Sequence, residues 1–328
     1  MCPSSSILRK IPAFLAALAF LAADSRASSD LLERVAIGSC NKESLPQPLW
    51  EPIVAFRPQL WIWLGDNIYG DTHNMKELAA KYALQKSNPG YQKLLATCPV
   101  EGLWDDHDYG LNDSGFKHPR KKESQKLFLD FLDEPADSPR RTHEGIYHAR
   151  TYGPDGKKVC VILLDVRSWR PPPGSGGDIL GEAQWRWLEK TLQESDAQIH
   201  LLCSGTQFLP TDHRWEKWND FPDSRRRLLK LLAETKPSGT VLLSGDRHFS
   251  ELMRAENPFG GPALYEITSS GLTHFWKNFP NEKNRLRLGE PYVDLSFGTL
   301  EIDWDSREIG LALRNAAGSV ERAAKVSF

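Results

Sequence analysis

The sequence predicts a layered α/β protein in a single domain, with helices packed outside its sheets. Continuous apolar runs of four to six residues, such as "LWIWL" and "VCVILL", mark strands covered on both faces. Stretches with helical apolar spacing and polar outer faces lie between these runs, the order expected of layered α/β architecture. The Gly and Pro clusters "RPPPGSGGD" (170 to 178) and "ENPFGGP" (256 to 262) interrupt this alternation without ending it, so they read as loops rather than linkers. At 328 residues, with no internal repeat, the chain is long enough to bury one large core.

The first 27 residues stand apart. Arg9 and Lys10 precede the apolar "IPAFLAALAFLAA", and small and polar residues follow up to Ala27, the pattern of a secretory signal. The apolar part is shorter than the ~20 residues that span a bilayer, and no later segment is long enough. The expectation is a soluble, exported chain running from 28 to 328 as one domain, destined for periplasm or medium. Strands are then expected at "RVAIGSC", "QLWIWLGD", "VEGLWDDHD", "KVCVILLDVR", "QIHLLCSG", "TVLLSGDRH", "LYEITSSG", "GTLEIDWD" and "IGLALRN". Helices are expected at "NMKELAAKYALQKSNPGYQKLLAT", "RKKESQKLFLDFLDE", "GEAQWRWLEKTLQESD" and "SRRRLLKLLAET".

Composition narrows the function. A formal net charge of -2 gives no electrostatic footprint for nucleic acid or an anionic membrane. Cys40, Cys98, Cys160 and Cys203 lack CxxC spacing, so neither a zinc ribbon nor a disulfide scaffold is indicated. Cys160 and Cys203 sit in strand runs as small hydrophobes.

Five expected strands end in polar chemistry: "AIGSC" with Cys40; "WLGDNIYGD" with Asp66 and Tyr69; "LWDDHDYGLND" with Asp105, Asp106 and His107; "LLDVRSWR" with Asp165 and Arg167; and "LLSGDRHFSE" with Asp246 and His248. Ligands of layered α/β folds bind beyond the carboxyl ends of strands, where such loops converge. One Asp after a strand is commonly a turn or a helix cap. Together, Asp66, Asp106, Asp246 and a Cys40 thiolate would concentrate negative charge at a cost that only cations offset. Thiolate, phenolate and imidazole suit a transition metal, with phenolate favouring Fe³⁺ over Zn²⁺. The remaining carboxylates suit a second ion, a transition metal or a hard cation such as Ca²⁺. Asp66 is placed to bridge both.

The ordered series "GDNIYGD", "WDDHDYGLND", "LLDVRSWR", "GEAQWRWLEKTL", "SGTQF" and "SGDRHFSEL" resembles the alkaline phosphatase D, or PhoD-like, metallophosphatases from about Val35 to Asp305. The resemblance implies a metallophosphoesterase fold, a four-layer sandwich of two mixed β-sheets flanked by helices. It implies hydrolysis of phosphate monoesters or diesters with Fe³⁺ and Ca²⁺, Zn²⁺ or another divalent ion being the alternative at either site. Carried over by residue, it implies metal ligation by Cys40, Asp66 (bridging), Tyr69, Asp106, Asp246 and His248, with Asp105 the alternative to Asp106. His107 would stand near the leaving group. Larger members carry a β domain ahead of the cysteine motif, and a chain without it would have a more open pocket.

Other roles stay open for several residues. Arg167 would clamp phosphate oxygens or pair with a structural Asp. Asp71 reads as a turn or a supporting carboxylate, and only His213 and His274 among the remaining histidines fall on loops that would reach the pocket. The expected chemistry is metal-assisted hydrolysis with water as nucleophile and His107 protonating the departing alkoxide; no GxSxG elbow competes with it. The substrate would be a small phosphate ester, including one drawn from lipid or cell wall. The rival readings are a phospholipase-D-like diesterase and a secreted metal-binding protein without turnover.

Overall fold

The computed structural model describes residues 30–256, 258–279 and 282–328. The expected signal at 1–27 lies outside them. Twelve strands form two mixed sheets of six among the described residues. The strands are β1 (Arg34–Gly38), β2 (Leu60–Leu64), β3 (Val100–Leu103), β4 (His148–Tyr152), β5 (Val159–Leu163) and β6 (Ile199–Ser204). They continue with β7 (Thr240–Ser244), β8 (Glu251–Ala255), β9 (Leu264–Thr268), β10 (Ser296–Asp303), β11 (Glu308–Asn315) and β12 (Val320–Ser327). One sheet runs β12-β11-β10-β1-β2-β3 and the other β4-β5-β6-β7-β9-β8. The two sheets with helices on their outer faces make the four-layer sandwich that the resemblance implies.

The helices are α1 (Trp50–Ala55), α2 (Met75–Lys86), α3 (Pro89–Leu95), α4 (Asp106–Tyr109), α5 (Lys121–Phe131), α6 (Gly181–Glu194) and α7 (Pro222–Thr235). Strand periodicity explains the layers, because successive side chains point to opposite faces. In β2, Trp61 and Trp63 meet Trp50 of α1 edge-on at 5.4 and 5.5 Å, and Trp63 also meets Tyr91 of α3 and Phe131 of α5. On the second sheet, Cys160, Ile162, Leu202 and Leu242 share a core with Trp185 and Leu188 of α6 and Leu228 of α7. The intervening positions of both sheets, including Ile37, Val161, Leu201 and Leu243, belong to the large central cluster.

Two departures from the sequence reading have physical causes. The stretch expected as one helix from 74 to 97 divides at Asn88, whose side chain accepts from the N–H groups of Gly90 and Tyr91 while Pro89 opens the next helix. Strands β4, β8 and β12 were not expected, and each lies at the edge of a sheet. Their sequences, "HARTY", "ELMRA" and "VERAAKVS", carry charges in place of a continuous apolar run, and two of these are buried in ion pairs, Arg150 with Glu101 and Glu251 with Arg287. All four cysteines among the described residues are buried and free. No helix among those residues is long and apolar enough to cross a membrane.

The connectivity brings the polar strand ends to one edge. Strands β1, β2 and β3 are parallel, as are β5, β6, β7 and β9, so each set delivers its carboxyl ends together. A reciprocal clasp ties the sheets there: Ser39 Oγ donates to the Ser269 carbonyl at 2.9 Å, and Ser269 Oγ donates to the Ile37 carbonyl at 3.1 Å. Buried Asp108 fixes two neighbouring strand ends. Its carboxylate accepts from the N–H groups of Asn67 (3.0 Å) and Asp105 (2.6 Å) and from the Asn67 side chain. Asp108→Ala leaves these donors unpaired and is expected to cost roughly 3 kcal/mol. Urea unfolding of the metal-free chain checks this, and an unchanged midpoint would remove Asp108 from the scaffold.

Candidate active site

Four of the residues expected to hold metal adopt left-handed backbone conformations: Cys40 (φ 57°), Asp66 (φ 50°), Asp246 (φ 70°) and His248 (φ 54°). Non-glycine residues adopt this region at a conformational cost, and such positions cluster at functional sites. Each follows a strand closely, so the chain turns sharply and aims the side chain back between the sheets. Glycine lets the strand ends approach: a Cβ at Gly65 would lie 2.5 Å from Cβ of Asp105, and one at Gly205 would lie 2.4 Å from an Asp105 oxygen.

Three groups of donor atoms result. Cys40, Asp66 and His248 form one; Asp66, Asp106 and His107 a second; Asp66, Asp105, Asp106 and Asp246 a third, with all donor atoms of a group within 4.8 Å of one another. Asp66 belongs to every group. Cys40 Sγ lies 3.4 Å from Asp66 Oδ2 and 3.0 Å from Ser270 Oγ. Tyr69 Oη lies 2.9 Å from His248 Nε2, which puts the phenol beside the first group. The structure thus brings together Cys40, Asp66, Tyr69, Asp106, His107, Asp246 and His248, and it adds Asp105 alongside Asp106 rather than choosing between them.

The protonation state of this cluster argues for cations. Burial, then charge at Cys40 and Asp106, holds Asp66 well above the usual carboxylate range. Burial pushes the Cys40 thiol up to about 11, and Asp246 rises to about 6 through burial, Asp106 and Glu216. Tyr69 is also held high by burial and by the charges at Cys40 and Asp66. Burial would raise Asp106 too, but Arg167, His107 and the Asp113 N–H together hold it below its ordinary value. Buried oxygens Asp66 Oδ1 and Asp105 Oδ2 have no hydrogen-bond partner among the described residues. Orphaned acceptors in a set of thiol, phenol, imidazole and carboxylates fit a pair of metal ions.

Arg167 and Asp165 are both held by buried partners. Arg167 is completely buried behind the carboxylates, with Nε 2.5 Å from Asp105 Oδ1 and Nη1 3.1 Å from Glu216 Oε2. Two of its guanidinium nitrogens are thus held by carboxylates, the pairing that the sequence allowed, while Nη2 lies 3.9 Å from Asp106 Oδ1 without a hydrogen-bond partner among the described residues. Asp165 ends its strand as expected, yet accepts from Trp104 Nε1, the N–H groups of Ile146, Arg167 and Ser168, and Ser168 Oγ. It braces a loop and stands outside the donor groups.

Loops supply what the strand-end pattern missed. Asp71 Oδ1 lies 2.7 Å from His107 Nδ1, and Tyr69 stacks on the His107 ring at 4.2 Å. Burial disfavours the imidazolium, but Asp71, Asp66 and Asp106 outweigh it and push His107 up to about 10. His274 Nε2 lies 3.3 Å from His248 Nε2, and Ser270 Oγ accepts from the His248 N–H at 2.7 Å. Trp215 and Trp276 meet edge-on at 4.8 Å and wall the pocket of about 240 Å³ that contains Asp106, His107, Asp246 and His248. The sequence signal for Asp71 was its place two residues after Tyr69, which fits a turn equally well.

Two outcomes follow. Raised acids stabilise the metal-free fold at low pH, where folded and unfolded chains both hold the proton; for Asp246 this is lost as pH rises from 3.8 through about 6. Metal binding strips these protons, so added Zn²⁺ should raise Tm more at about pH 8.5 than at about pH 5.5; an equal gain would contradict proton-linked binding. In the metal-free chain, Asp71→Asn should move the His107 imidazole from about 10 back toward 6.5 by NMR titration. An unmoved resonance would mean that Asp71 does not govern His107.

A family model described as PhoD-like phosphatase matches residues 35–293. The alkaline phosphatase D of Bacillus subtilis (strain 168) is 24% identical, over 55% of this chain and 37% of its own length. The chain thus spans little more than a third of that curated relative. A solved structure of PhoD superposes with a TM-score of 0.68 at 16% identity, covering 92% of this chain and 70% of that one. A dimetal phosphatase from Danio rerio superposes with a TM-score of 0.59 at 13% identity, covering 91% of this chain and 100% of that one. These likenesses share the sandwich architecture, and with more than half of its length matched by the family, the chain belongs to the PhoD-like phosphatases.

Proposed function

We propose that the chain is an exported, metal-dependent phosphoric ester hydrolase that uses a dinuclear site on phosphate monoesters or diesters. The observation that carries this reading is Asp66, shared by every donor group and holding a buried oxygen without a partner. Family membership supports the reaction class. Export rests on the sequence of residues 1–27.

Cys40, Tyr69 and His248 with Asp66 would hold the transition metal, for which Fe³⁺ is the proposed ion. Asp105, Asp106 and Asp246 with Asp66 would hold the second, proposed as Ca²⁺. Such a pair supplies charge neutralisation at the phosphoryl group and lowers the pKa of water.

The chain's own residues do the rest. His248, whose burial lowers its pKa, offers a neutral imidazole. His107 lines the pocket and is oriented by Asp71, whose carboxylate favours the imidazolium, so it can hand a proton to the departing alkoxide. Arg167 holds Asp105 and Glu216 in register. The Trp215 and Trp276 rings restrict water around the reacting group.

Side-by-side assays of p-nitrophenyl phosphate and bis-p-nitrophenyl phosphate test the reading. Metal-replete protein is expected to turn over at least one, with Asp66→Ala and Asp246→Ala each losing roughly 1,000-fold in kcat/KM. His107→Asn should lose about 100-fold on alkyl leaving groups and much less on p-nitrophenolate, which departs without a proton. No turnover of either ester would sink the hydrolase reading.

A further inference from the structure

A groove of about 780 Å³ lies beside the catalytic pocket, and Asn112, Asp113, Trp215 and Glu216 line both. The groove and the pocket therefore share a wall. Three of the seven exposed large apolar side chains among the described residues, Leu111, Phe116 and Trp215, gather on its walls. Such clustering departs from the scattered exposure of an ordinary surface and marks a ligand surface.

The charges on the rim limit what can bind. Arg214 lies 4.9 Å over the Trp215 ring and Lys117 lies 5.7 Å over the Phe116 ring, and both side chains are exposed. Neither has a carboxylate partner within 4.0 Å among the described residues. Exposed aromatics often bind quaternary ammonium groups through the ring face. Asp113, Glu216 and Asp220 also line the groove, but Asp113 is paired with Arg170, Glu216 with Arg167 and Arg170, and Asp220 with Lys217. A further cation at either ring would therefore meet the repulsion of the cation already over it.

We propose that this groove is the subsite for the second ester arm of a phosphodiester, taking an apolar, ring-sized arm and refusing a quaternary ammonium arm. The proposal rests on the hydrolase reading and names its substrate class. A phosphorylcholine-type diester, the substrate of the phospholipase-like alternative, is disfavoured by the same charges. The scissile phosphate would sit at the donor groups while the arm extends past Trp215 toward Phe116 and Leu111.

The test uses three p-nitrophenyl diesters with one leaving group and a methyl, phenyl or choline second arm, assayed with the full metal-replete chain. Variant-to-wild-type ratios cancel the intrinsic reactivity of each ester. In Phe116→Ala, the phenyl-to-methyl ratio of kcat/KM should fall about fivefold, through KM. In Arg214→Gln, the choline-to-phenyl ratio should rise about fivefold. Calorimetric binding of phenyl phenylphosphonate, a stable diester mimic, separates the two claims. Weakened phosphonate binding in Phe116→Ala without turnover of any diester or of p-nitrophenyl phosphate would uphold the groove and overturn the hydrolase reading. Turnover with unchanged ratios and unchanged phosphonate binding would overturn the groove and leave the hydrolase reading standing. A choline ester processed as well as the phenyl ester by wild type would also overturn the proposal.

Discussion

Everything around the pocket depends on one electrostatic constraint, the burial of Asp66 among Cys40, Asp105, Asp106 and Asp246. At effective interior dielectric constants, like charges this close repel by several kcal/mol. The metal-free chain meets this cost by keeping protons on the thiol and on the raised carboxyls, with Arg167 and His107 neutralising part of the remainder. Cations would replace those protons. A purely structural role for the cluster would be expected to favour replacing it with apolar side chains, since a buried charge constellation is a poor source of stability.

The fold concentrates its conformational cost where this cluster lies. Left-handed residues at Cys40, Asp66, Asp246 and His248 turn four side chains into one volume, and the Ser39–Ser269 clasp keeps the sheet edges closed around it. Asp108 and Arg167 act one step further back, the first on the backbone of two strand ends and the second on Asp105 and Glu216. They hold the donor atoms of each group within 4.8 Å of one another, the closeness that the proposed pair of ions would need.

Much of this was legible in the sequence because covered strands and their polar endings are local signals. Nine strands announced themselves as apolar runs, whereas "HARTY", "ELMRA" and "VERAAKVS" did not, since Arg150 and Glu251 are buried through partners distant in sequence and β12 is largely open to solvent. The donor residues were legible as strand endings, and the resemblance supplied their grouping. Asp165 shows the limit of that signal, for an Asp ending a buried strand can equally brace a loop. Arg167 shows another, because sequence does not say whether a guanidinium faces solvent or a buried carboxylate. Asp71 and His274 reach His107 and His248 through loop geometry that no periodicity encodes.

The central claim is that Asp66 joins two ions in one site. Elemental analysis of the purified full chain beside Asp66→Ala tests it most directly. The account predicts about two equivalents of metal in the wild type and loss of both in the variant, because the bridging oxygen serves each ion. Metal content unchanged by Asp66→Ala, or absent from both proteins after reconstitution with iron and calcium, would contradict it.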